Sequence, residues 1–196
     1  MSFSDVEAAR TYYEHAYQIR LKLFGDDDVR TAYSMAQMAS YFNFKITVDS
    51  AYFLAQKAYL ICQQHQEQTH LIDEVKVIST YAYSYKIYFG NRIREFRLSR
   101  IEARKIYQVA LDKVRKNYGS KSINEAALYR SIGNTYTDQI LDLIYNPPQW
   151  SLRRIKDPIF REAKAYYIKS AEMIKNTTGG SHPDLSTVYL VTSLLY

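Results

Sequence analysis

Few side chains capable of chemistry stand at spacings that converge. His65 and His70 are five residues apart, whereas two metal ligands on one helical face would be three or four apart. Cys62 and His65 have the i, i+3 relation of a thiolate–imidazole pair, but Cys62 follows the apolar run Tyr59-Leu60-Ile61 and is expected to be a small buried packing residue. Asp26-Asp27-Asp28 lacks the alternating spacing and closing glutamate of a calcium loop, and an acidic turn answering a helix dipole accounts for it. There is no phosphate-cradling glycine loop and no nucleophile elbow. The expectation is a protein that is not an enzyme, with no catalytic residues, no metal and no cofactor.

Cations offer more. Asn91 to Lys105 carries Arg92, Arg94, Arg97, Arg100, Arg104 and Lys105 against Glu95 and Glu102, with Phe96 interleaved. A second basic stretch, Trp150, Arg153, Arg154 and Lys156, follows Pro147-Pro148. Arginines beside aromatics can hold a nucleic-acid backbone and stack bases, or grip an acidic protein. The competing expectation is that Phe96, Trp150 and the arginine stems cover helix ends while the charges are solvated. The net charge of +6 over 196 residues does not by itself name a polyanionic partner. A lone cysteine makes no internal disulfide, the start MSFSDVEAAR lacks a basic-then-apolar leader, and Val188 to Tyr196 is far too short to span a membrane. The expected location is therefore the cytoplasm, with no membrane partner.

The elements that position these groups are helices. Six Gly and four Pro in 196 residues are too few for a fold rich in turns. The 20 Tyr and 8 Phe supply helix-packing surface, much of it carrying a hydroxyl. Periodicity is visible in two anchors. Ala16, Ala58, Ala110 and Ala171 each follow Tyr13, Ala55, Tyr107 or Tyr167 and, seven or eight residues back, Ala9, Ala51, Ala103 or Ala163. The second anchor is a small residue three before an aromatic: Ala39 with Phe42, Ala82 with Tyr85, Gly133 with Tyr136, Ser193 with Tyr196. First to second anchor is 23, 24, 23 and 22 residues; second anchor to the next alanine is 12, 21 and 30. The surpluses lie around 90–99 and 141–156 and read as insertions. Gly25, Gly119 and Gly179-Gly180 follow the first anchors as helix stops, and Gly133 lets two helices approach. Ser4 with Glu7, Ser122 with Glu125, Asp157-Pro158 and His182-Pro183 read as helix starts. About eight helices result: 4–24, 27–44, 48–66, 70–89, 96–118, 121–144, 158–176 and 183–196.

A repeat of about 42 residues (Ala16 to Ala58), built from a small-x-x-aromatic helix and an Ala-x3-aromatic-x2-Ala helix, resembles the tetratricopeptide repeat. The linkers Gly25-Asp26-Asp27-Asp28-Val29 and Gly180-Ser181-His182-Pro183-Asp184-Leu185 resemble its kinesin-light-chain variety. The resemblance implies an all-α, right-handed solenoid of antiparallel helix pairs in one domain, 1–196. Its parts are an opening helix 4–24, pairs 27–66, 70–118 and 121–176, and an unpaired last helix 183–196. The opening helix would be a polar cap. The last one, apolar on more than one face, implies a natural chain that continues past Tyr196 or a homodimer through that end.

The resemblance also implies a non-enzymatic protein-interaction scaffold holding a peptide or partner helix in a concave groove. By register its readers would be Tyr33, Ala36, Ser40 and Asn43, then Lys76, Ser79, Tyr83 and Lys86, then Arg130, Asn134 and Asp138. Amides would grip a peptide backbone and cations an acidic side chain or carboxylate. Both basic segments, with Arg92, Arg94, Arg97, Arg100, Trp150, Arg153 and Arg154, would share one edge. This makes an RNA-binding accessory protein the alternative, beside the N-terminal sensor part of a larger signalling or effector chain.

Overall fold

The structure is a computed structural model and describes residues 3–68, 70–90, 96–118, 122–145, 152–180 and 182–193. Its elements are α1 (Phe3–Phe24), α2 (Val29–Phe44), α3 (Val48–Gln64), a 3-10 turn (Gln66–Gln68), α4 (Leu71–Gly90), α5 (Phe96–Tyr118), α6 (Ile123–Tyr145), α7 (Leu152–Thr178) and α8 (Pro183–Ser193). Among the described residues there is no strand, and no helix is long and apolar enough to cross a membrane. Two compact units divide the chain, Met1–Ser99 and Arg100–Tyr196, with the division inside α5.

In the first unit α2 packs on α1 and α3, and α4 packs on both α3 and α2. The repeat anchors make this possible. Ala39, Ala51, Ala55, Ala58 and Ala82 are fully buried, and their small side chains let Met35, Ile61 and Val77 interdigitate. The tyrosine excess becomes a stacked layer between α3 and α4. Tyr52 lies on Tyr88 at 4.2 Å and Tyr59 on Tyr81 at 4.7 Å. Burial pushes the Tyr81 phenol up to about 12.

The acidic turn acts as the sequence suggests. Asp28 caps α2 by accepting the Arg30 N–H at 2.8 Å, and its two oxygens also hold the Arg30 guanidinium. Asp26 pairs with Lys57, and Asp27 lies 3.3 Å from His65. The Arg30 bond holds the Asp28 carboxyl down at about 2. A depressed acid stabilises the fold above its unfolded value near 4 and loses that contribution as pH falls toward 2. Asp28→Asn should flatten the stability profile over that window, read by urea midpoints at pH 2 to 5.

Ile46 is a finding that sequence periodicity does not anticipate. Its φ is 62°, in the left-handed region. It stands where a Schellman-type stop needs such a residue, because Thr47 N–H donates to the Phe42 carbonyl at 2.9 Å and Ile46 N–H to that of Asn43 at 3.3 Å. A β-branched side chain is strained there, and at 79% exposure nothing packs on it in return. Ile46→Gly should raise stability by about 1 kcal/mol, visible as a higher chemical-denaturation midpoint.

In the second unit α7 packs along α6 and α8 against α7. Ala126, Ile140, Ala163, Tyr167, Ala171, Ile174, Leu185 and Val188 form its core. Gly133 is the close approach the repeat predicts: a Cβ there would meet the Tyr167 ring at 3.1 to 3.2 Å. Ser122 caps α6, accepting the Glu125 N–H at 3.1 Å. His182 caps α8, its Nδ1 accepting the Asp184 N–H at 3.2 Å.

Several expectations are corrected. The helix α7 begins at Leu152, six residues before the expected start, and runs through Pro158. The proline therefore sits inside the helix and interrupts its backbone ladder instead of opening it. Most of the first surplus (91–95) and the middle of the second (146–151) lie outside the described residues, and the end of the second belongs to α7. The opening helix already includes Phe3, so Ser4 lies within it and is not its cap. Nor is that helix a purely polar cap, because Tyr12, Ile19 and Leu23 are exposed beside Arg10, Glu14, Gln18 and Lys22. Gly119 lies outside the described residues.

Candidate functional site

The face shared by α2 and α4 gathers the predicted readers of the first unit. Residues about one repeat apart meet in a line of polar contacts. Lys76 Nζ donates to Tyr33 Oη at 3.3 Å, Ser40 Oγ lies 3.3 Å from Thr80 Oγ1, and Asn43 Nδ2 donates to Ser84 Oγ at 2.8 Å. The residues making these contacts, Tyr33, Ser40 and Asn43 on α2 and Lys76, Thr80 and Ser84 on α4, recur at helical spacing, so each helix turns one stripe to this face. Lys76 and the neighbouring Arg20 both lie 5.6 Å from the Tyr33 ring centre, flanking one aromatic with two cations. Arg20 is further held by Ser34 Oγ at 2.6 Å.

Accessibility distinguishes the readers. Ser40, Lys76 and Tyr83 are exposed, while Tyr33 and Asn43 are half-buried. Asn43 Oδ1 accepts no hydrogen bond. Lys86, expected to read a ligand, is only 6% exposed and lies 5.0 Å from the Tyr83 ring, so its ammonium is withdrawn from the surface. Ala36 is buried in the core, and Ser79 turns its hydroxyl back to the Val75 carbonyl at 2.7 Å. The accessible side chains of this face are thus Tyr33, Ser40, Lys76, Thr80 and Tyr83. Thr80 was missed by register from the small anchor, though its i, i+4 relation to Lys76 is a readable signal.

In the second unit the predicted readers all lie on α6 and are engaged by residues of other helices. Arg130 Nη1 is 2.7 Å from Asp184 Oδ2 on α8, and Asn134 Oδ1 accepts from Tyr167 Oη at 2.6 Å. Asp138 faces Arg100 at 3.8 Å. That contact corrects the basic-edge expectation for Arg100, which is 6% exposed and cannot meet a polyanion. Burial pushes its guanidinium down, and Asp138 and Asp142 oppose that shift. Arg97 is exposed as expected. Arg92, Arg94 and Trp150 lie outside the described residues, as do the side chains of Arg153 and Arg154 on the first turn of α7. Among the described residues no three His, Cys, Asp or Glu side chains gather in a metal-binding group.

No family model and no curated protein matches this chain. A solved structure does: BtubC (BKLC) from P. vanneervenii superposes with a TM-score of 0.67 over 97% of this chain, at 16% sequence identity. The fold is that of a helical-repeat protein. The helical-repeat chain spans 65% of the length of BtubC. At this identity the likeness speaks of fold, and the repeat anchors Ala51, Ala58, Ala103, Ala110, Ala163 and Ala171, all buried, are the residues that build it here.

Proposed function

We propose that this chain is a non-catalytic protein-interaction module of tetratricopeptide type that holds an extended peptide on the α2/α4 face. The observation that carries this reading is the polar ladder between helices one repeat apart, with Ser40, Lys76 and Tyr83 left exposed along it. The hydroxyls of Ser40, Thr80 and Tyr83 suit a peptide backbone, whose donors and acceptors recur along its length. Lys76 adds a cation for an acidic side chain or terminal carboxylate, and Tyr33 and Tyr83 supply flat apolar surface with a polar tip.

Peptides selected from a random display library on the full chain test this reading. Lys76→Glu should weaken the selected peptides at least about tenfold, since an attractive charge becomes a repulsive one. Leu60→Ala, at an exposed position of α3, should leave binding unchanged. Peptides insensitive to Lys76→Glu and to Tyr83→Ala would place the binding elsewhere. A ligand pool dominated by nucleic acid, with affinity falling steeply as salt rises, would favour the basic segments instead.

A further inference from the structure

Three large apolar side chains stay exposed within one short stretch, 44–53. Phe44 ends α2, Ile46 lies in the turn to α3, and Phe53 stands on the second turn of α3, at 66%, 79% and 57% exposure. They collect at one end of the first unit. The contacts from Tyr33–Lys76 to Asn43–Ser84 advance together along α2 and α4, so the two helices run parallel and the turn after α2 lies toward the same end as the last turn of α4. Phe53 accordingly meets Tyr88 of that last turn, ring centres 5.9 Å apart, and Tyr88 and Phe89 are themselves only half-buried.

Ile46 is the informative member. Its left-handed backbone is strained for a β-branched residue, and its side chain stands in water. Glycine would make the same turn with neither cost. A partner that covers the side chain supplies the packing that the chain itself does not give this residue.

The patch also limits what can cover it. At these exposures the three side chains offer roughly 400 Å² of apolar surface, the size of patch that serves as a binding site. That is about half of the roughly 800 Å² each copy contributes to a stable dimer, so a second copy of this chain would be held weakly, whereas a short segment can cover the patch whole. Within 44–53 the charged residues are Lys45 and Asp49, one of each sign, so the surface favours a segment without net charge.

We propose that the end of the first unit formed by Phe44, Ile46, Phe53 and Tyr88 binds a short uncharged segment of another protein through two large apolar side chains. The site is separate from the α2/α4 face and does not depend on peptide binding there.

Fluorescence polarisation tests it, with the full chain titrated into labelled nine-residue peptides of Gly, Ser and Gln that carry two Leu, Phe or Trp residues two to four positions apart. At least one of these should bind about tenfold or more tighter than the peptide of Gly, Ser and Gln alone, and equally well at low and high salt, since no charge pair forms. Phe44→Ser should remove this binding. Ile46→Gly should weaken it about tenfold while raising the stability of the chain, a combination that a purely structural Ile46 would not give. Lys76→Glu on the α2/α4 face, and Leu60→Ser at an exposed position two turns further along α3, should retain it. Peptides that bind Phe44→Ser and Ile46→Gly as they bind the parent would overturn the site, as would loss of binding in Lys76→Glu, or a set in which no apolar peptide exceeds the polar one. A parent chain that sediments as a dimer and is dispersed by Phe44→Ser would overturn the occupant, replacing the short segment with a second copy.

Discussion

Tyr167→Ala should destabilise the second unit by about 3 to 5 kcal/mol, the range for truncating a large buried aromatic. Tyr167 is 1% exposed, the largest side chain in the core that joins α6, α7 and α8. Its ring fills the space that Gly133 leaves open, so removing it opens a cavity whose opposite wall has no side chain to relax inward. Its hydroxyl donates to Asn134 Oδ1 at 2.6 Å and lies 3.1 Å from Thr137 Oγ1, and both groups would lose that partner. Tyr167→Phe separates the contributions. It keeps the ring in the Gly133 gap and should cost only about 1 kcal/mol. Urea unfolding of the two variants checks the expected order.

Arg115→Ala should cost about 2 to 3 kcal/mol, more than a surface arginine otherwise would. Its Nε donates to Glu125 Oε1 at 2.8 Å, and its Nη2 also contacts the Tyr129 hydroxyl. Glu125 is 1% exposed and accepts from Tyr129 Oη at 3.0 Å as well. Without Arg115 the carboxylate stays buried with its principal cation gone, while Arg115 itself, at the rim, is easily rehydrated. That asymmetry predicts the double-variant result: Glu125→Gln in the Arg115→Ala background should recover more than half of the loss, whereas Glu125→Gln alone should be destabilising. Additive costs would mean that the pair carries no coupling.

The helical repeat was readable because small residues recur at helical spacing, and burial selects for this wherever helices approach closely. Ala51, Ala55 and Ala58 on α3 and Ala103 and Ala110 on α5 are fully buried for this reason. The same register placed Tyr33 opposite Lys76, 43 residues away, since residues one repeat apart meet when successive helices pack alike. What register could not convey was burial set by a particular neighbour. Lys86 and Arg100 carry charge and read as solvent-facing, yet Tyr83 and Asp138 stand where each can be withdrawn. Ile46 in a left-handed conformation and α7 running through Pro158 also escape sequence reasoning. At Ile46 the hydrogen bonds that stop α2, and at Pro158 the continuation of α7, go against a local preference worth about 1 to 3 kcal/mol.

The claim that a peptide lies on the α2/α4 face is tested most directly by where a bound peptide touches the chain. A benzophenone side chain placed at the exposed position 40 on α2, and separately at the exposed position 60 on α3, would report contact by photo-crosslinking to a library-selected peptide. The account predicts an adduct from position 40, lost on adding Lys76→Glu, and none from position 60. Crosslinking from position 60 with none from position 40 would contradict it.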